Sequence, residues 1–263
     1  MSRDFFVADF EFTQYTKRMG RPRGFFSEII EIGAVKIDGN SLAVTGKIQN
    51  FVHPHFYPKQ AKEGMDFCMI TEKDMESAIE FGEMLEQIKA LYVPGQTYFV
   101  AWGNEDYKVV AEGCRRHKLE NPVLEEDYLD LAAAYKLMKG DSYTTGLKKA
   151  TEEQNVDTGG LWHTAYDDAA NTGKLLVKLL AGGWTPEAYF AIGNMDMQNL
   201  YTMDIICHGV PSYKVLQKYL QENFSGKKIR KICSSWFLPK ALPMRKKISE
   251  APIPITIWCR SKN

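Results

Sequence analysis

Two acids one residue apart, Asp9 and Glu11, interrupt the apolar run from Phe5 to Phe12. Alternate residues of a strand share a face, so the two carboxylates point the same way. Unpaired inside an apolar strand, they repel each other and resist desolvation. A pair of divalent cations relieves both costs, and Mg2+ and Mn2+ favour oxygen ligands. A third acid, Asp106, follows the run Thr97 to Trp102 at a strand end that opens into a helix, where α/β proteins hold ligands; Glu105 is its local competitor. The segment from His163 to Asp168 adds a histidine beside an acidic pair, suited to a general base next to a metal ligand. On a continuous helix Asp167, four residues on, shares the face of His163; Asp168 fits if His163 lies on the loop just before the helix. Each feature alone has a plainer explanation: a solvated strand end, an acid favoured by a helix dipole, a surface histidine beside a capping acid. Together the three features are far more specific than any one alone.

The elements that must position these groups follow from periodicity. Phe5 to Phe12 reads as a buried central strand, and Ser27 to Ile37 as a second. Asp38-Gly39 is a hairpin signal, and Ala43 to Val52 completes an antiparallel meander. The glycine-rich basic stretch 17–24 between the first two strands is an exposed loop. Thr71, with Asp74 three residues later, predicts a capping box, and apolar spacing predicts a helix from Ser77 to Leu91. Thr97 to Trp102 is a fourth strand, and Asn104 caps a helix from Glu105 to His117. Tyr128 to Leu131 is a fifth strand or the start of a helix, and Tyr143 to Gln154 is a short helix. His163 opens a last helix to about Leu180, which Gly182-Gly183 stops. The order predicts an α/β fold, a mixed sheet with an antiparallel edge.

Composition excludes several classes. With 44% hydrophobic and 25% charged residues the chain reads as an ordinary globular protein with a substantial core. Its neutrality conceals an asymmetry. Residues 1–183 carry 21 Lys and Arg against 28 Asp and Glu, and residues 184–263 carry 12 against 5. A basic tail on an acidic body hints at nucleic-acid contact as readily as at a merely solvated surface. No secretory signal opens the chain, and no apolar run approaches the roughly 18 residues that span a bilayer. The five cysteines are odd in number and dispersed, which points to reduced thiols in a cytoplasm and argues against a clustered zinc or iron–sulfur site.

The stretches VADFEFT, EIIEIGAVKI, FCMITEKDM, YFVAWGNEDYKVV and LWHTAYDDAANTGKLL, in order across residues 4–180, resemble the DEDDh exonuclease superfamily, RNase H-like nucleases that include proofreading subunits. Within it the likeness is greatest to the group of the histone-mRNA exonuclease and the KapD-like proteins. The resemblance implies an RNase H-like mixed five-stranded sheet flanked by helices. It puts the family's first motif on Asp9 and Glu11, its second on Asp106, and its third on His163 and Asp168, preferring Asp168 over Asp167. It implies two divalent ions, Mg2+ or Mn2+, held by Asp9, Glu11, Asp106 and Asp168, with His163 as general base. The implied activity is removal of 5′-mononucleotides from single-stranded 3′ ends, of RNA in preference to DNA. Phe12, Met69 and Ile70 would line the terminal nucleoside pocket, though core packing explains them equally well. Two departures bear on substrate preference: Asn104 stands where relatives often carry an acid or another polar residue, and Cys68-Met69-Ile70-Thr71 where many carry Thr-Gly-Ile-Thr.

The rest of the chain is read separately, as an exonuclease domain over 1–183 and a basic, irregular C-terminal extension over 184–263. Residues 200–231, with the core Cys207 to Ser212, resemble a segment of the beta-subunit family of coenzyme F420 hydrogenases and dehydrogenases. Tyr213 to Phe224 reads as a helix, and Ile253 to Trp258 as one edge strand at most. Against the exonuclease reading stand a DNA-directed proofreading-like nuclease, a non-catalytic nucleic-acid-binding regulatory module, and, from the tail alone, a flavin or iron–sulfur redox protein.

Overall fold

The computed structural model describes residues 2–13, 15, 22–141, 143–193, 232–234 and 255–257. The chain divides into two compact units, Met1–Ala132 with Gly146–Trp184, and Ala133–Thr145 with Thr185–Asn263. The first holds a five-stranded sheet in the order β3-β2-β1-β4-β5. Strands β1 (Asp4–Phe12), β2 (Ile29–Ile37) and β3 (Val44–Phe51) form the antiparallel meander. Strand β4 (Thr97–Ala101) lies parallel to β1, and β5 (Tyr128–Asp130) parallel to β4. The mixed sheet expected from the sequence is therefore present, and Tyr128 to Leu131 resolves into a short strand followed by a helix.

Among the described residues the α-helices are α1 (Pro58–Phe67), α2 (Glu72–Met75), α3 (Phe81–Leu91), α4 (Glu105–His117), α5 (Leu131–Lys139), α6 (Leu147–Glu153), α7 (Ala165–Ala181) and α8 (Pro186–Gly193). Phe6, Ala8 and Phe10 of β1 pack against Phe81, Met84, Leu85 and Ile88 of α3 and Val109, Val110 and Cys114 of α4. By strand alternation Val7, Asp9 and Glu11 face the other side, which α7 covers. A Cβ built on Gly33 of β2 would lie 2.1 Å from the carbonyl carbon of Ala165, so α7 begins directly on the strand backbone. Gly173, one face further along, rests against Val35 and Ile37.

Two details open the sheet where the acids sit. Strand β1 pairs with β4 only from Asp4 to Val7, so its last five residues have a free edge on that side. On the other side Glu11 pairs with Glu31 while Phe12 pairs with Ile29, leaving Ile30 as an extra residue in β2. Such a bulge re-aims side chains. Here Ile30 joins Ala61, Cys68 and Ile70 in a small core of its own.

Several expectations need correction. The helix expected from Ser77 starts at Phe81, because Ile79 bridges Val52: its N–H bonds the Phe51 carbonyl and its own carbonyl accepts from His53. The capping box at Thr71 and Asp74 is present. Asn104 precedes α4 but makes no side-chain cap; its oxygen accepts from Lys108 instead. The helix expected over Tyr143 to Gln154 shortens to α6. Helix α1 has no counterpart in the sequence reading. Among the described residues of 184–263 there are two short strands where at most one was expected, β6 (Ile232–Ser234) and β7 (Ile255–Ile257), paired antiparallel. The helix expected at Tyr213 to Phe224 lies outside the described residues. Among the described residues no helix is long and apolar enough to cross a membrane.

Candidate active site

Asp9 and Glu11 project from the end of β1 that has lost its β4 neighbour. Asp106, in the first turn of α4 and 7% exposed, turns back towards that gap, and its Oδ1 accepts the backbone N–H of Phe10 across 3.1 Å. The carboxylate thus satisfies a strand donor that no β4 residue reaches, and this fixes α4 against β1. Asp168, in the first turn of α7, directs Oδ2 to the N–H of His163 at 3.0 Å. His163 lies on the loop before α7, with φ of +68°, and its exposed ring packs on Phe67 with centroids 5.2 Å apart. One oxygen of Glu11, a ring nitrogen of His163 and one oxygen of Asp168 all lie within 4.8 Å of one another. Asp167 points elsewhere, to the N–H of Leu161 at 2.8 Å. The geometry therefore groups Asp168, not Asp167, with His163 and Glu11.

Electrostatics mark the cluster as incomplete by itself. Desolvation, then the charges of Asp106, Asp168, Glu11 and Glu31, hold the Asp9 carboxyl well above the ordinary range. Burial pushes Asp106 up to about 7, despite the Phe10 hydrogen bond. Burial likewise raises Asp168 to about 6, with Glu11 adding to the shift and the His163 N–H opposing it. The second oxygen of Asp168, Oδ1, is buried without a hydrogen-bond partner among the described residues. Converging carboxylates with raised pKa values and an orphaned buried oxygen are what a cation site looks like before its charge is neutralised. The donor set, four carboxylates and one imidazole, suits hard divalent ions.

Two neighbours were not anticipated. Glu31, 4% exposed, sits opposite Glu11 in the sheet and accepts the N–H of Ala165 at 3.3 Å, tying β2 to the start of α7. Its carboxyl rises to about 7, first through burial. Cys68 directs its Sγ to Oε2 of Glu11 at 3.0 Å. A buried acid inside the apolar run EIIEIGAVKI is the same signal that singled out Asp9, and it would have found Glu31. The three residues expected to touch the nucleoside separate. Phe12 packs against the α3–α4 core, Ile70 is 7% exposed in the small α1 core, and Met69 is 61% exposed with φ of +60°. Met69 and Ile70 line an open cavity of about 500 Å³ with Pro58, Lys62, Met65 and Thr71.

A family model described as Exonuclease matches residues 6–176. The probable 3′-5′ exonuclease KapD of Bacillus subtilis is 33% identical over 169 residues, covering 64% of this chain and 80% of that protein. The 3′-5′ exoribonuclease 1 of Mus musculus is 24% identical over 185 residues, and the chain spans about half of it, 53%. Among solved structures, the nuclease domain of 3′hExo, described as a DEDDh family member bound to rAMP, aligns with a TM-score of 0.59 at 22% identity, covering 69% of this chain and 94% of that one. That likeness carries the fold. The resemblance of residues 200–231 to the coenzyme F420 beta-subunit family gains no support from these comparisons, and those residues lie outside the described part.

Proposed function

The chain belongs to the exonuclease family, and from that premise we propose that it is a divalent-metal-dependent enzyme removing 5′-mononucleotides from single-stranded 3′ ends, RNA in preference to DNA. The observation that carries the reading is the grouping of Glu11, His163 and Asp168 within 4.8 Å, with the charges of Asp106, Asp168 and Glu11 all acting on Asp9 and Asp168 Oδ1 unpartnered among the described residues. The residues fit a metal centre: Asp9, Glu11, Asp106 and Asp168 would hold two Mg2+ or Mn2+ ions. Such ions supply Lewis-acid activation of water and charge stabilisation at the leaving 3′-oxygen.

The chain's own groups do the rest. His163, held beside Glu11 and Asp168, takes the proton of the attacking water. Asp106, anchored to Phe10, and Glu11, anchored to Cys68, keep their carboxylates in fixed orientation, so little reorganisation accompanies the reaction. Without cations the same acids repel a phosphodiester, which makes substrate binding itself depend on them. The exposed Met69 beside the cavity offers an apolar face to the terminal nucleoside, with Ile70 behind it. The chemistry is assigned to residues 1–183, and the basic extension 184–263 to auxiliary contact with longer strands.

Preference for RNA rests on the relatives: one is named an exoribonuclease, and a structure of the same fold holds rAMP. Digestion of matched, end-labelled RNA and DNA oligonucleotides with Mg2+, Mn2+ or EDTA tests the reading. Mononucleotide release from RNA that EDTA abolishes supports it. Faster digestion of DNA turns the assignment to a proofreading-like nuclease, and binding without turnover turns it to a regulatory module.

A further inference from the structure

Helix α7 does more than carry Asp168. Three of its residues on one face, Asp167, Asn171 and Lys174, bind the backbone of the loop that leads into it. Asp167 Oδ2 accepts the N–H of Leu161 at 2.8 Å and lies 3.0 Å from the Thr164 hydroxyl. That hydroxyl is also 2.8 Å from the Leu161 carbonyl, so its single proton is shared within the same turn. Asn171, 1% exposed, pairs both ways with Gly159, its Oδ1 accepting at 3.1 Å and its Nδ2 donating at 3.0 Å. Lys174 donates to the Asp157 carbonyl at 3.0 Å. Gly160 passes so close that a Cβ there would fall 2.0 Å from the Asp167 carboxyl carbon, and its φ is +77°. Between the two Asp167 contacts sits His163, whose φ of +68° is one an L-residue adopts only when its surroundings impose it.

We propose that Asp167 is a positioning residue for His163: by clamping Leu161 and Thr164 it holds the imidazole in its left-handed backbone conformation beside Glu11 and Asp168, without binding metal itself. The inference rests on the general-base reading of His163 given above. The two adjacent acids thus divide the work. Asp168 bonds the His163 N–H and keeps its other oxygen for the cluster. Asp167 holds the residues on either side. Released from the clamp, the loop relaxes towards ordinary φ and the ring leaves the carboxylates, while Glu11 keeps its bond from Cys68 and Asp106 its bond from Phe10.

A double-mutant cycle on the full chain tests this, using kcat and KM on a 5′-labelled RNA oligonucleotide and calorimetric Mn2+ titration. Asp167→Ala is expected to lower kcat by about 10- to 100-fold with KM within about 2-fold. Its Mn2+ stoichiometry is expected to equal the parent's. Asp167→Asn, which keeps one acceptor oxygen for Leu161, recovers part of the loss. In a His163→Ala background Asp167→Ala costs nothing further, because the group it positions is gone. If Asp167→Ala does not fold, Thr164→Val, which removes the hydroxyl at nearly constant shape, replaces it in the same cycle. A fully active clamp variant beside a crippled His163→Ala overturns the inference alone. So do losses that multiply in the double variant, or loss of Mn2+ binding by Asp167→Ala, which would make Asp167 a ligand. Full activity in His163→Ala overturns the general-base reading and the inference with it.

Discussion

The Cys68 thiol donates a hydrogen bond to Oε2 of Glu11 across 3.0 Å, joining the end of α1 to the acid pair on β1. Burial, the bond itself and the surrounding acids push the thiol far above its ordinary pKa, so it stays neutral and keeps its proton to donate. Cys68→Ser, which preserves a donor, should leave turnover within a few-fold of the parent. Cys68→Val should lower kcat by about 10-fold or more, the worth of a hydrogen bond of about 1.5 kcal/mol to a charged acceptor. Steady-state kinetics of the two variants in saturating Mg2+ decide it; equal rates would mean that Glu11 needs no such anchor.

Stability should depend on pH in an unusual direction when metal is withheld. Asp9, Asp106, Glu31 and Asp168 all have folded-state pKa values above their unfolded ones. Between about pH 5 and pH 7 these four carboxyls therefore hold more protons in the folded chain than in the unfolded one, and their contribution to stability falls as pH rises through that window. The Tm in EDTA should be higher at pH 5 than at pH 8. Added Mn2+ should raise it most at pH 8, where the carboxylates must otherwise ionise against one another. A calorimetric scan with the same Tm at both pH values in EDTA would contradict the raised pKa values.

Asp9 and His163 should fail differently. Asp9→Asn replaces an anionic ligand with a neutral amide, so metal affinity and activity should fall together, with partial recovery in excess Mn2+. His163→Ala leaves all four carboxylates, so Mn2+ binding should survive while turnover drops by about 10²- to 10⁴-fold. Isothermal titration beside rate measurements separates the two. Because an imidazole nitrogen lies within 4.8 Å of Glu11 and Asp168 oxygens, equal loss of Mn2+ binding in both variants would recast His163 as a ligand.

The chemistry of the strand end supplies another test. A 5′-labelled strand should yield a descending ladder, and a 3′-phosphate should slow the reaction, since an added dianion beside the acid cluster is repelled or draws cations away from their ligands. Gel electrophoresis of the two substrates suffices. Immediate release of a labelled 5′-mononucleotide from intact strand would reverse the polarity.

Much of this was legible because buried strands announce themselves as short apolar runs bounded by turn residues. The meander and the strand that became β4 follow from such runs, and the shared face of Asp9 and Glu11 from strand alternation. The choice between Asp167 and Asp168 was not a matter of helical spacing. It turned on where α7 begins, and the helix starts at Ala165 with His163 outside it. Helix α1 stayed hidden for a physical reason: its buried positions are Ala61 and Gly64, which leave no apolar stripe in the sequence. Gly64 is small because Phe12 O and Thr13 Cα come within 3.3 Å of where its Cβ would be. The helix expected from Ser77 failed because β-bridging at Ile79 outweighed the apolar spacing. Glu31 was passed over as a strand residue although its surroundings matched those of Asp9.

Gly33 bears no functional group, yet the distance between the first and third motifs is set there. Because α7 starts in contact with the strand backbone, any side chain at position 33 acts as a spacer, lifting the helix by the thickness of its first carbon. Asp168 and His163 would rise with it, away from Asp9 and Glu11, while every chemically active residue stayed unchanged. Tolerance to substitution at this position is thus governed by the separation that the carboxylates must keep. A scan for residues that matter to turnover would then recover, alongside the acids, a position whose whole contribution is the absence of an atom.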